Sequence, residues 1–186
     1  MSHSAQEPID RIDERGAAAS ALACLDRCLP LLGSPPDGLP DDLLRPLWHC
    51  VAEGGADWTD RLAGVRARVA DVADVADVAD AGAGQGPAAA GPAGAVVRDM
   101  LAAAPSGWEG AALRAWAGVC AAAALDVHER LGGGPLADGE ERRQAQILDF
   151  LADAPAAAAG LRPVLEVSAE GRRVLRAVVS RRGRGA

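Results

Sequence analysis

Apolar side chains recur along this chain three and four residues apart, the spacing that gathers them on one side of a helix. Ile9, Ile12, Ala19, Leu22, Leu25, Leu29 and Leu32 form such a stripe, and Pro8 suits a first helical turn, so the pattern predicts one helix from about Pro8 to Leu32. Gly33-Ser-Pro-Pro-Asp-Gly38 breaks it. A second helix is expected from Asp41 to Glu53, with Leu44, Leu47, Trp48 and Val51 on one face and Pro46 close enough to the first turn to be tolerated. After Gly54-Gly55 a third helix carries Trp58, Leu62, Val65, Val69 and Val72.

That helix runs into four copies of Val-Ala-Asp, from Val69 to Asp80. A three-residue period drifts by about 60° per step on an α-helix, so the four valines cannot share a narrow face. The repeat reads as a solvated acidic helix end left by replication slippage, and its uniform spacing lacks the ligand order of an EF-hand calcium loop. Ala81 to Gly94 alternates Gly, Ala and Pro and is expected to be a flexible linker or long loop.

A short helix near Ala95 to Ala104 comes next. Ser106 and Glu109 then have the S-x-x-E spacing of a capping box. Beyond it Trp108, Ala112, Trp116, Val119, Cys120, Ala123, Val127 and Leu131 fall on one arc, Ala121 to Ala124 would let a neighbouring helix approach, and Gly132 closes the element. Another helix opens at Asp138 and Glu141 and turns Ile147, Leu148, Leu151 and Phe150 inward. Pro163 to Ser168 reads as a short strand (163–167) or an extended turn, after which Ser168 starts a last helix with Val174, Leu175, Val178 and Val179 inward. The expected fold is all-α: a single bundle of six or seven helices. Residues 1–80 and 95–186 belong to one domain, 81–94 joins them, and 172–186 forms a basic tail.

Composition narrows the chemistry. The chain has 186 residues, 49% of them hydrophobic but only 3% aromatic, so its four tryptophans should carry much of the core. It contains no lysine, tyrosine or asparagine, and all nineteen basic residues are arginine, the imprint of a G/C-rich gene. A missing lysine excludes a P-loop, a Schiff base and a kinase lysine; a missing tyrosine excludes tyrosine acid–base work. Net charge is −7, unevenly spread: residues 161–186 hold seven arginines and two glutamates, the remainder twelve arginines and twenty-four acids. An acidic body with a basic end predicts that the end either binds something anionic or folds back on the body. The polar, acidic first sixteen residues lack a signal-peptide pattern, and the longest uncharged run, Ala81 to Val97, is broken by glycine and proline. The expectation is a cytoplasmic protein with reduced thiols.

Several sets of residues are candidates for chemistry. Cys24 and Cys28, one turn apart, could supply two zinc ligands, with His49 and Cys50 as the other pair. Neighbouring helical positions such as His49 and Cys50 point about 100° apart, and burial in the core is the simpler use of all four. Cys120 and His128 lie on and beside the apolar arc of their helix, as core residues would; His128 is expected at the boundary. Gly132-Gly-Gly-Pro135 follows a helix rather than a strand and lacks the Lys and Ser/Thr of a phosphate loop, so it reads as a cap and turn. Asp41/Asp42 and Glu140/Glu141 sit at predicted helix starts, where the macrodipole favours negative charge. No serine lies in a G-x-S-x-G elbow. No catalytic, cofactor-binding or metal residue is assigned.

The last set is Arg172, Arg173, Arg176, Arg181, Arg182 and Arg184. Leu165 to Leu175 also looks like the strand-to-helix passage after the wing of some bacterial winged-helix regulators, but no basic recognition helix precedes it. Over a longer span, Ala23-Cys-Leu-Asp-Arg-Cys-Leu-Pro30, Leu44-Arg-Pro-Leu-Trp48, Ala115 to Leu131 and Glu141 to Leu151 together resemble the YjaG-like family of small all-helical bacterial proteins of unknown function. The likeness would cover residues 18–155; it implies a helical fold and brings no catalytic residues. The reading that follows is a non-enzymatic cytoplasmic helical protein acting through protein contacts, as an accessory, regulatory or immunity-type factor. The alternatives are a nucleic-acid-associated regulator using the arginine-rich end and a metal- or thiol-dependent sensor using Cys24, Cys28, His49 and Cys50.

Overall fold

A computed structural model describes residues 6–32, 42–82, 92–153 and 160–183. They form eight α-helices and a short 3₁₀ segment, packed as a bundle with no strand among the described residues. In chain order these are α1 (Gln6–Asp10), α2 (Glu14–Cys28), the 3₁₀ turn Leu29–Leu32, α3 (Arg45–Ala52) and α4 (Trp58–Gly82). The second half adds α5 (Pro92–Ala102), α6 (Gly110–Gly132), α7 (Gly134–Asp153) and α8 (Leu161–Gly183).

The predicted first helix is divided, and that division raises the helix number to eight. Asp13 is extended, and its carboxylate accepts from the Gly16 N–H at 2.7 Å, so a new helix is capped where the apolar spacing alone suggested continuity. Ile9 and Ile12 both remain buried across the break. At the other end Pro30 has no N–H to donate, and the chain tightens into 3₁₀ geometry.

α2 is the axis of the fold. It packs most extensively on α6, then on α8, with α3 and α7 also against it. Gly16 to Ala23 is a run of small residues and one leucine, all buried, which lets α6 approach closely. The long helix α6 is long and apolar enough by composition to cross a membrane; here 39% of its most apolar stretch is buried, in contact with α1, α2, α5 and α7. Its inward residues are Leu113, Trp116, Ala117, Cys120, Ala121, Ala124, Val127 and His128, while Val119, expected inside, is 50% exposed.

Three tryptophans make the second centre of packing. Trp58 meets Trp108 and Trp116 edge-on, at centroid distances of 5.3 and 5.8 Å. Each buried indole finds a partner, Trp58 on the Pro105 carbonyl at 2.8 Å and Trp116 on the Met100 carbonyl at 2.9 Å. Trp48 stands apart on α3, half-buried. The expected Ser106–Glu109 box does not form: Glu109 is the N-cap and makes no side-chain cap bond. Residues 105–108 are tied instead to α4, since Thr59 donates to the Ser106 carbonyl at 2.7 Å and Trp108 packs on Trp58. Gly55, at φ +90°, makes this possible, because a Cβ there would be driven into the Trp108 ring.

Two other expectations change. Pro163 to Ser168 is neither strand nor extended turn but the first two turns of α8; Ser168 is buried mid-helix and donates to the Val164 carbonyl at 2.8 Å. α7 begins at Gly134, directly after Gly133 turns the chain at φ +64°, rather than at Asp138. The Val-Ala-Asp repeat is helical, as the last part of α4, and most of the 81–94 segment lies outside the described residues.

Candidate functional site: a sealed ionic centre and an open groove

The densest group of ionisable side chains lies where α2, α6 and α7 meet. Arg27 ends the buried face of α2, and Glu140 comes from the first half of α7, 113 residues later. Nε donates to Oε2 at 2.8 Å and Nη2 to Oε1 at 2.6 Å, with both side chains fully buried. Gln144, one turn beyond Glu140, donates to Oε1 and to the Ala121 carbonyl, each at 3.0 Å. His128 Nδ1 lies 2.7 Å from the Ala124 carbonyl. A carbonyl only accepts, so Nδ1 carries the proton and Nε2 faces Glu140 Oε2 at 3.7 Å. Cys24 receives Arg27 Nη2 at 3.3 Å.

Charge is retained inside this centre by pairing. Burial would push the Glu140 carboxyl up, but the attraction and hydrogen bonds of Arg27 dominate and hold it below the ordinary value. Burial acts on Arg27 in the opposite sense, and Glu140 more than restores its charge. For the thiols burial outweighs the attraction of Arg27. Burial pushes Cys24 up to about 11 against the pull of Arg27, and raises Cys28 and Cys120 well above their ordinary value. These are protonated, core-packed thiols, poor nucleophiles at neutral pH.

The four residues of the metal or thiol hypothesis are not assembled. Cys24 and Cys28 belong to the α2 interior, Cys50 is buried on α3, and His49 is exposed on α3. Among the described residues no group of three or more His, Cys, Asp or Glu is placed to hold a metal. His128, placed at the boundary by its spacing, is 1% exposed, and Glu140, read as a helix-start charge, is wholly interior. No sequence signal marked Arg27, Glu140 and Gln144 as a unit. Only the i, i+4 spacing of Glu140 and Gln144 on an otherwise apolar helix face could have hinted at it.

The accessible concavity is elsewhere. α3 and α8 each pack on α2 and leave a groove of about 540 Å³ between them, walled by Leu44, Trp48 and Ala52 on one side and Leu161, Leu165 and Ala169 on the other. Leu165 is 40% exposed, one of two large apolar residues so placed, with Val119, among the described residues. Arg45, His49, Arg162 and Arg172 edge the groove, with Asp26 and Asp42. Arg172 bonds Asp26 at 3.2 Å, so at this residue the basic end folds back on the body. Arg173, Arg176, Arg181 and Arg182 are exposed along the rest of α8, and Arg184 lies outside the described residues.

A second, shallower hollow of about 710 Å³ lies between α1 and α6, over Ala111, Ala115, Gly118 and Val119. No family model, no curated protein and no solved structure matches this chain.

Proposed function

We propose that this chain is a non-enzymatic, cytoplasmic helical protein that works by contact with another protein. The observation that carries the reading is the groove between α3 and α8, where Trp48 and Leu165 leave apolar surface open between charged lips. Half-buried aromatic and aliphatic anchors rimmed by arginine are the composition of binding hot spots. The chain's densest ionisable cluster is sealed in the core with its carboxylate already engaged by arginine, an arrangement that serves packing better than turnover. The likeness to the YjaG-like family is in keeping with a helical scaffold and adds no site residues.

The competing reading is a nucleic-acid contact through Arg173, Arg176, Arg181 and Arg182, which are exposed on the last turns of α8. Affinity capture from a cell lysate, with and without nuclease, separates the two. A defined protein partner retained after nuclease and lost in Leu165→Asp is the expected result. Recovery that needs nucleic acid, falls steeply with salt and disappears on Arg→Ala changes in α8 would replace the first reading with the second.

A further inference from the structure

We infer that α1 is a releasable strap over α6, which lifts about Ile12 while the remainder of the bundle stays folded. A helix of five residues does not hold its own shape in water, so α1 persists only where it is docked. It docks chiefly on α6, and Ile9 is its one buried residue. Gln6 donates to Asp10 at 2.8 Å and Arg11 pairs with Glu7, bonds that are internal to the strap and travel with it. Gly118 of α6 lies beneath Gln6, where an added Cβ would stand 2.5 Å from Gln6 Oε1. The fit is incomplete, since the hollow of about 710 Å³ opens between the two helices. Anchoring by one isoleucine favours the closed state by on the order of ten- to a hundredfold.

The chain beyond Arg11 is held by other means. Ile12 packs so closely on the first turn of α2 that a Cβ at Gly16 would lie 3.1 Å from its own Cβ. The Ile12 carbonyl is clamped from α6 by Arg114, whose Nε and Nη2 donate to it at 3.1 and 3.0 Å. Asp13 caps α2 through the Gly16 N–H at 2.7 Å, and its carbonyl accepts from the Ala17 N–H at 2.9 Å. α2 therefore loses no capping bond when α1 leaves. What the strap governs is the outer face of α6. From Ala115 to Leu125 that helix carries no charged residue, and Ala115, Val119 and Ala122 are exposed beside the hollow. Closed, α1 edges the hollow with Gln6 and Asp10. Open, it withdraws both polar groups and uncovers the part of α6 on which it docks, so the apolar face widens. Release of a segment with a single buried anchor belongs to the low-energy end of local unfolding.

The chain has three isoleucines: Ile9 on the strap, Ile12 at the hinge and Ile147 buried in α7. Labelling their δ1 methyl groups in the unsubstituted protein therefore gives one reporter for each, and single Ile→Val variants assign the signals. Saturation-transfer and relaxation-dispersion NMR detect a minor state populated on the order of 1%. Ile9 should exchange with such a state, while Ile12 and Ile147 show no exchange. Gly118→Leu, which places a branched side chain where Gln6 lies, should raise the open population at Ile9 about tenfold, with Ile147 still silent. No exchange at Ile9 overturns the inference. Exchange at one common rate in Ile9 and Ile147 also overturns it, because the bundle then opens as a whole. Equal exchange at Ile9 and Ile12 overturns the hinge, and an Ile9 population indifferent to Gly118→Leu overturns the seat on α6. Should Gly118→Leu fail to fold, the three methyl groups of the unsubstituted chain still decide whether α1 lifts alone.

Discussion

Glu140 on α7 receives Arg27 from α2 side-on, with Nε 2.8 Å from one carboxylate oxygen and Nη2 2.6 Å from the other, and no surface of either side chain reaches solvent. Such a pair offsets a large desolvation cost with close, doubled hydrogen bonds, so its net contribution is small while its disruption is expensive. Arg27 Nη1 sharpens the point, since it is the one fully buried side-chain nitrogen or oxygen without a hydrogen-bond partner among the described residues. Glu140→Met and Arg27→Met should therefore each lower stability by about 3–5 kcal/mol. The double variant Arg27→Met/Glu140→Met should return to within about 1 kcal/mol of the parent, or exceed it, because methionine fills the volume without a charge. Urea unfolding of the four proteins measures the cycle. Additive losses in the double variant would show that the two side chains act separately.

Acid should reveal the same pair. Arg27 holds the folded-state Glu140 below the ordinary value of 4.5, so the unfolded chain takes up the proton more readily than the native one. The associated stability is complete above pH 4.5 and is lost as pH falls through the lowered native value. The melting temperature of the parent should drop on acidification below that point more steeply than that of Arg27→Met/Glu140→Met. Parallel curves would mean that other carboxylates dominate acid unfolding.

The helical periodicities carried the fold class because they are local. Trp58, Leu62, Val65 and Val69 are all buried on α4, and Ile147, Leu148 and Leu151 on α7, where their spacing put them. Periodicity does not specify which part of a wide apolar arc faces the core. On α6 that choice is made by α2, and the inward face is turned towards Leu113, Ala117 and Ala124, leaving Val119 outside. Local motifs lost where a tertiary bond competed: Ser106 had capping-box spacing, but its carbonyl is held by Thr59 on α4. Pro163 suggested extended backbone, yet proline in a first helical turn forfeits no hydrogen bond. The ionic centre was illegible for a related reason. Arg27 and Glu140 are separated by 113 residues, and each on its own looks like a solvated helix charge. The groove was half legible, since the arginines were visible in the sequence while their juxtaposition to Trp48 depended on how α3 and α8 sit on α2.

Alkali should act through the thiols. An unfolded cysteine loses its proton around pH 9.0, whereas native Cys24 retains it to about 11 and burial raises Cys28 and Cys120 well above the ordinary value. Native protein then binds more protons than unfolded protein, so stability is complete below pH 9 and falls as pH rises from there towards the native values. Cys24 alone should account for a loss on the order of 2 kcal/mol. Replacing Cys24, Cys28 and Cys120 by alanine should flatten the decline between pH 9 and 11, whatever it does to stability at pH 7. An unchanged slope would assign the decline to other groups. A thiol reagent added to native protein at pH 7 should label the three only as fast as the bundle opens.

Gly171 gives the test that joins backbone to ionic centre. It sits on α8 directly over Arg27, where an added Cβ would lie 2.9 Å from Arg27 Cγ, nearer still to Cδ, and 3.1 Å from Arg143 Cδ. Arg27 cannot withdraw, because its far end is fixed on Glu140. Gly171→Ala should therefore cost about 1–3 kcal/mol despite alanine's better helix propensity. Gly64→Ala, in the exposed middle of α4 with nothing within 4 Å, should instead gain about 1 kcal/mol. In an Arg27→Met/Glu140→Met background the stem beneath Gly171 is no longer anchored, and a flexible thioether can move aside. There the cost of Gly171→Ala should shrink by at least about 1 kcal/mol, a coupling expected only between side chains in contact. Equal costs in both backgrounds would show that α8 is displaced as a body and that the anchoring of Arg27 has no part in excluding a side chain at this position.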